Sequence, residues 1–425
     1  MNLDTIDGSA LGETVQIGTL PSGMRIALAP KPGFSTSAGH IGLRYGSTDT
    51  KFRLQNGQLV EVPEGSAHFL EHKLFEGREE KVFDRFGKLG AQFNGGTGFR
   101  STNYWFQTAN HFSECLEVLL DFVQHPLITE SRVEKEKGII EQEVRMYEDD
   151  PGYRGIFLLH RALYSNHPIR VTPGGPVSEV HRTTADDLQA CFDAFYCPSN
   201  LVLSLSGDFD LEAVLAQVME LVDPSRSPEV ERIYGDEGDF PAEKRLEERF
   251  AVTRPHVWLG WRDARGVGLG NAMLKRRVES SLVLDLALDH SSVHHERLYD
   301  QGVIDDTFQL HYSCDADWSY AVFSGQTQHP EVFLDGVRSA LAKFMEEGPA
   351  EEDVERVRRA AWGSVVSGIQ TPGALAGTVL QSLLVEQQPF SVLQVLEGIS
   401  RESLMERAQQ LFHDDRSAEA FILPE

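Results

Sequence analysis

His68-Phe69-Leu70-Glu71-His72 sets two imidazoles four residues apart with a carboxylate between them. On a helix of 3.6 residues per turn, positions i and i+4 share a face, so both rings project side by side at a separation suited to one cation. Position i+3 shares that face, which brings Glu71 beside the cation as a general base for water without making it a ligand. A catalytic zinc site takes three protein ligands and leaves its fourth position to water or substrate. The third ligand must therefore come from elsewhere. The segment from Glu136 to Glu143 offers these two carboxylates seven residues, or two helical turns, apart on one face, while Glu141 points to another. One of the pair can bind metal and the other can support it from behind. A rival group, Asp289, His290, His294 and His295, includes an i, i+4 histidine pair on a predicted helix. It has no glutamate base between the pair, and a solvated helix face accounts for it.

The elements that must position these groups follow from periodicity. Residues 14–48 alternate as a strand, turn at Pro21-Ser22-Gly23, and continue as two strands separated by residues 31–34. A helix is predicted after Gly65 with Ser66 as its cap, burying Phe69, Leu70 and Leu74. One strand is expected from Ala91 to Phe106, then helices over 112–124, 130–148, 153–164 and 184–196, and a strand over 201–207. The order is α+β. Residues 223–246, rich in proline and charge, read as a linker.

Beyond 246 the pattern begins again: a strand at 256–261, a long helix near 269–298, strands at 308–313 and 321–327, and helices at 331–347 and 352–368. Gly90 then pairs with Gly302 and Val133 with Val354, so a duplicated domain is the economical account. The expected division is an N-terminal domain over 1–222, the linker, and a homologous C-terminal domain over 247–425. Under this alignment Ser-Ser-Leu-Val-Leu at 280–284 replaces the histidine motif and Ser364 replaces Glu143, so the second half has no such metal site.

A chain of 425 residues suits two domains, and its 41% hydrophobic and 9% aromatic content is ordinary for globular proteins. No apolar run approaches a membrane span. The N-terminus lacks the basic start and apolar core of a signal or transit peptide, so a soluble, cytoplasmic protein is expected. Cys115, Cys191, Cys197 and Cys314 are scattered and read as free thiols. With 65 acidic against 39 basic residues, the net charge of −26 argues against nucleic acid and anionic membranes as partners.

An H-x-x-E-H helix followed 71 residues after His72 by Glu143 resembles the pitrilysin/insulinase family of inverted-motif zinc peptidases, which includes mitochondrial processing peptidase. The likeness covers nearly the whole chain. GSAHFLEHKLFEG resembles the family's metal helix, GAQFNGGTGFRSTNYWF its substrate-side strand, EKEKGIIEQEVRMYEDDP its third-ligand helix, and YCPSNLVLSLSGDFD the strand closing its first domain. Bacterial two-domain members of about this length are the most similar.

The resemblance implies one Zn2+ per chain, held by His68, His72 and Glu143, with Glu71 as base and Glu136 as the supporting acid. It implies two homologous α/β-layered domains forming a clam-like chamber, the second domain being its other wall. Asn94, Gly95, Gly96 and Thr97 fall where the family aligns substrate as an added strand through main-chain hydrogen bonds. Gly95-Gly96 and Gly98-Phe99 depart from the usual residues there and loosen the edge. Active single-chain members also carry an arginine and a tyrosine in a stretch like L-R-x-K-x-x-L-A-Y. In the matching stretch, Leu298 to Asp306, both are missing from their positions, which Tyr299 and Asp306 occupy. In members built as pairs, one subunit holds zinc and the other donates that Arg/Tyr pair, so a dimer is implied, preferably a heterodimer with a related metal-free chain. The implied function is a zinc endopeptidase for unfolded polypeptides or short peptides. The alternative is a metal-bearing peptide-binding subunit that is slow or inactive without its partner.

Overall fold

The computed structural model describes residues 2–223, 230–263 and 266–425. The first half of the chain supplies strands β1 (Asp4–Gly8), β2 (Glu13–Thr19), β3 (Arg25–Pro30), β4 (Ser37–Leu43), β5 (Lys51–Leu54), β6 (Leu59–Glu61), β7 (Gln92–Thr97), β8 (Thr102–Thr108), β9 (Leu201–Gly207) and β10 (Val230–Arg232). Its helices are α1 (Ser66–Phe75), α2 (Val82–Lys88), α3 (Phe112–Gln124), α4 (Glu130–Glu148), α5 (Pro151–Leu163), α6 (Val177–Arg182), α7 (Ala185–Phe195) and α8 (Leu211–Leu221). The second half supplies β11 (Arg245–Phe250), β12 (His256–Arg262), β13 (Gln309–Cys314), β14 (Ser319–Gln326) and β15 (Ser417–Pro424). With them come α9 (Asn271–Leu288), α10 (Val293–Asp300), α11 (Pro330–Glu347), α12 (Glu351–Ser367), α13 (Pro372–Leu384), α14 (Ser391–Glu397) and α15 (Arg401–Leu411).

The chain forms two compact units, each with its own apolar core. Unit 1 comprises residues 1–145, 171–234 and 366–389, and unit 2 comprises 146–170, 235–365 and 390–425. Relative to a linear division at 222 and 247, two segments change sides. Helix α13 covers β3, β4 and β9 of unit 1, and α5 covers β11, β12 and β15 of unit 2. Small residues receive these helices. Gly42 of β4 leaves room for Leu380 and Leu384, while Gly155 of α5 leaves room for the Trp258 ring of β12.

The main sheet of unit 1 runs β1-β2-β3-β9-β4-β8-β7, and that of unit 2 runs β11-β15-β12-β14-β13. From β3 onward the two orders coincide in sense as well as sequence: one parallel pair, then three antiparallel pairs, ending on the free edges of β7 and β13. Gly90 and Gly302, which precede those edge strands, both take the left-handed conformation, with φ of 64° and 67°. The repeat legible in the sequence is thus a repeat of topology.

Four local expectations are corrected. Ser66 does not cap α1: Gly65 takes that position in a left-handed conformation (φ 87°), and the Ser66 hydroxyl donates to the Pro63 carbonyl. The single strand expected over 91–106 is the β7–β8 hairpin, its turn closed by the Gly98 amide on the Ser101 carbonyl at 2.9 Å. The long helix near 269–298 breaks after Leu288, because the Ser292 side chain accepts from the His294 amide and starts α10 afresh. The linker expectation over 223–246 falls outside the described residues at 224–229, and beyond them Val230–Arg232 pairs with β5 as β10. No helix among the described residues is long and apolar enough to cross a membrane.

Filling the Gly155 gap should disrupt the seating of α5. A Cβ there would fall inside the Trp258 ring, so Gly155→Ala is expected to lose about 1–3 kcal/mol. Denaturant unfolding checks this, and wild-type stability would rule the packing out.

Candidate metal centre

The centre lies in unit 1, where α1 and α4 meet. A side chain at Gly65 would collide with the Gly174 carbonyl, which fixes where α1 begins. Phe69, Leu70 and Leu74 then bury one face of the helix in the core, and that burial sets its rotation. The His68 and His72 rings stand 4.7 Å apart between centroids, inclined at 69°. From α4, Glu143 reaches both: Oε1 lies 3.6 Å from His68 Nε2, and Oε2 lies 3.3 Å from His72 Nε2. One ligand atom from each of these residues lies within 4.8 Å of the others, and among the described residues no other His, Cys, Asp or Glu group is so arranged.

The spacing that left Glu136 and Glu143 interchangeable is resolved by packing. Glu136 Oε1 sits 3.2 Å from His72 Nδ1. A carboxylate only accepts, so Nδ1 carries the hydrogen and Nε2 is turned toward Glu143. His68 Nδ1 is buried without a hydrogen-bond partner among the described residues. Glu71, 7% exposed, receives a hydrogen bond from Thr97 Oγ1 on β7 at 3.0 Å. Burial holds the Glu71 carboxyl above its ordinary value, against the pull of His68 and His72.

These residues fit a divalent cation. One nitrogen from each imidazole and one Glu143 oxygen lie within 4.8 Å of one another, near enough to close on the spacing of roughly 3.3 Å that four-coordinate zinc with bonds of about 2.0–2.1 Å sets between its ligand atoms. Charge also balances: the carboxylates Glu71, Glu76, Glu136 and Glu143 meet the cations Lys73 and Arg132, leaving two negative charges when both imidazoles are neutral. Lys73 and the Thr97–Glu71 bond lie outside the residues expected from the motif. A lysine amid the apolar face of a buried helix was the available signal for the first, whereas the second needed the hairpin register.

Of the residues expected on the substrate strand, Thr97 touches the centre through Glu71. Phe93, Gly95 and Thr97 oppose the buried Phe106, Tyr104 and Thr102 across the hairpin, and thus face the helices. Asn94 and Gly96 face the other way. Asn94 is exposed, with its Oδ1 accepting from the Gly95 amide. Gly95 lies beneath the Phe75 and Tyr104 rings, and Gly96 is open.

The rival histidines do not form the expected pair: His290 meets His295 edge to face, 4.6 Å between ring centroids, rather than His294, and among the described residues no third ligand joins them. The helix break leaves His290 between α9 and α10, so it shares no helix with His294. His294 Nδ1 faces Arg297, while His290 and His295 line a cleft of about 1250 Å³ in unit 2. At the positions matching the motif, Ser280 bonds Arg276 and Arg407, and Leu282 to Leu284 are core residues.

Comparison with known proteins gives a consistent picture. The pattern of Insulinase (Peptidase family M16) matches residues 54–176, and that of the Peptidase M16 inactive domain matches 182–361. The uncharacterized zinc protease YmfH of Bacillus subtilis is 33% identical over 423 residues, 99% of each chain. The mitochondrial-processing peptidase subunit beta of Caenorhabditis elegans is 26% identical over 210 residues, 48% of this chain and 43% of that one. The crystal structure of an M16-like chain from Alicyclobacillus acidocaldarius superposes with a TM-score of 0.93 at 33% identity, covering 97% of this chain and 99% of the other. Pitrilysin shares the fold at a TM-score of 0.77 and 15% identity, over all of this chain and 47% of its own.

Metal uptake should depend on pH through His72. Burial disfavours its charge, but hydrogen bonds to Glu136 and Glu143 prevail and raise the metal-free imidazole to about 9. The ion must therefore displace a proton below that pH. Apparent zinc affinity is expected to climb about tenfold per pH unit from 7 toward 9 and then level off. Chelator competition across that range checks it; a flat profile would contradict it.

Proposed function

The chain belongs to the Insulinase (Peptidase family M16) family, and from that premise we propose that it is a zinc-dependent endopeptidase of unfolded polypeptides or short peptides. The observation that carries the reading is the convergence of His68, His72 and Glu143 with the buried Glu71 carboxylate beside them. On this reading those three residues hold one zinc per chain. Bound there, zinc supplies Lewis acidity toward water and the scissile carbonyl.

The chain's own residues carry the proton traffic. Glu71 takes a proton from the attacking water and returns it to the leaving amine. Thr97 occupies Glu71 Oε2, which leaves Oε1 for that proton. The raised carboxyl of Glu71 brings it nearer neutrality, where both transfers are easier. Glu136 keeps His72 in one tautomer and one orientation. The free edge of β7, over Asn94, Gly95, Gly96 and Thr97, receives the substrate as an added strand, gripping it through main-chain groups. Buried Cys115, Cys191 and Cys197 as free thiols agree with work in the reducing cytoplasm.

A second reading is favoured by one observation. Over 298–306, at the end of α10 and the turn into β13, Tyr299 stands at the arginine position and Asp306 at the tyrosine position, and the Tyr299 hydroxyl donates to Asp306, so neither residue that would steady an oxyanion is in its place. On this view the chain binds metal and peptide but turns over only beside a related, metal-free partner that donates both. The name of the Caenorhabditis elegans relative, a subunit of a processing peptidase, is in keeping with such pairing.

Glu71→Gln is expected to retain zinc and to lower kcat/KM about 10²–10⁴-fold, read by metal analysis and a quenched fluorogenic peptide. Activity equal to wild type would remove the hydrolytic reading. Adding the metal-free partner should raise turnover about 10²–10³-fold, the usual contribution of an oxyanion donor. Full turnover by the chain alone would remove the heterodimer.

A further inference from the structure

We propose that Lys73 is a positioning residue of the metal centre: its buried ammonium ties Glu136 and the α4 backbone to α1, fixing the orientation of His72 and the helix spacing that Glu143 must span. This rests on the reading that His68, His72 and Glu143 hold zinc.

The Lys73 side chain is 1% exposed. Lysine is almost never so buried without partners, because an ammonium taken out of water loses hydration that only well-placed acceptors restore. An ammonium has three N–H donors, and three acceptors meet this one. They are the Glu76 carboxylate, Glu136 Oε2 at 3.3 Å, and the Arg132 carbonyl at 2.9 Å. Two of the three belong to α4 and stand one turn apart on it.

Glu136 is the joint through which this reaches the metal ligands. Its Oε2 takes Lys73, and its Oε1 takes His72 Nδ1 at 3.2 Å. Adjacent residues of α1 thus grip the two oxygens of one carboxylate, which removes its freedom to rotate. A carboxylate so held gives the imidazole one direction in which to aim Nε2. Without Lys73, Glu136 and Glu76 become two partly buried anions with no ammonium between them, and Glu136 gains reason to turn away from His72.

Lys73 also acts on spacing. Glu143 lies seven residues beyond Glu136 on the same helix, about 10.5 Å along its axis, so a shift at the Lys73 contact is carried to the ligand position. Arg132 adds a second tie by donating to the Gly77 and Arg78 carbonyls just past α1. Glu136 and Arg132 therefore bind the end of α1 from one side, and Glu143 completes the site two turns on.

A purely structural lysine would act on folding, whereas a positioning lysine acts on metal retention through Glu136. The zinc dissociation constant of the full chain, measured by competition with a chromophoric chelator, separates them when read for Lys73→Met, Glu136→Gln and the double variant. Second-layer partners typically govern metal affinity 10–100-fold. Lys73→Met is expected to weaken zinc binding by about that factor, and the double variant to bind no more weakly than Glu136→Gln alone. Thermal unfolding of the metal-free chains shows whether the fold has changed. If Lys73→Met does not fold, Lys73→Met with Glu76→Gln removes both charges together, and the same pattern is expected of it. Wild-type zinc affinity in the lysine variant, or losses that multiply in the double variant, would overturn the inference while leaving the metal reading intact. A wild-type chain that takes up no zinc would overturn both.

Discussion

Two imidazoles from one helix and a carboxylate from another can meet at a single point only if both helices are fixed in rotation and in distance. The rotation of α1 is set by Phe69, Leu70 and Leu74 in the core of unit 1 and by a start that only Gly65 can occupy. The distance to α4 is harder to hold, because the contact gathers Glu71, Glu76, Glu136 and Glu143 in partly desolvated surroundings. Like charges so placed repel, and burial raises their cost. Lys73 and Arg132 offset part of that repulsion, and the hydrogen bonds of His68 and His72 to Glu143 hold its carboxyl far below the usual range. The residual negative charge is what makes the site receptive to a divalent ion.

The same architecture is built twice and used differently. Unit 2 repeats the strand order and sense of unit 1, but serine and aliphatic residues occupy the positions where the first half has its motif. Ser280 is spent on Arg407, which in turn reaches Asp263, and Leu282, Val283 and Leu284 fill the core. The repeat keeps its packing and loses its chemistry. The exchange of α5 and α13 shows that each sheet takes its covering helix from the other half of the chain. Small residues at the contacts, Gly42 under α13 and Gly155 over Trp258, make each exchange sterically specific.

Much of the site was legible because helical period is a local property. His68, Glu71 and His72 share a face in any helix, and the two-turn spacing of Glu136 and Glu143 marks a second face. Spacing could not say which of those acids meets the imidazole Nε2 atoms, since both project alike; the approach of α4 to α1 decides it. The α+β class, the duplication and most helices were likewise readable. Breaks that depend on a single side-chain bond were not. Ser292 interrupts what reads as one helix, and the Gly98–Ser101 turn divides what reads as one strand, because alternation continues through both arms of the hairpin. The helix exchange left no trace in the sequence, since an amphipathic face does not name the sheet it will cover. Lys73 was visible but uninterpretable until its three acceptors were known.

What surrounds the bound ion decides whether α1 and α4 together form the metal centre. X-ray absorption at the zinc edge of the loaded chain, with wild type set beside Glu143→Ala, reads this directly. Two imidazole nitrogens and one carboxylate oxygen at about 2.0–2.1 Å are expected, with the carboxylate contribution lost in the variant. A zinc spectrum unchanged by the substitution would mean that α4 does not supply the third ligand, and the metal centre described above would be wrong.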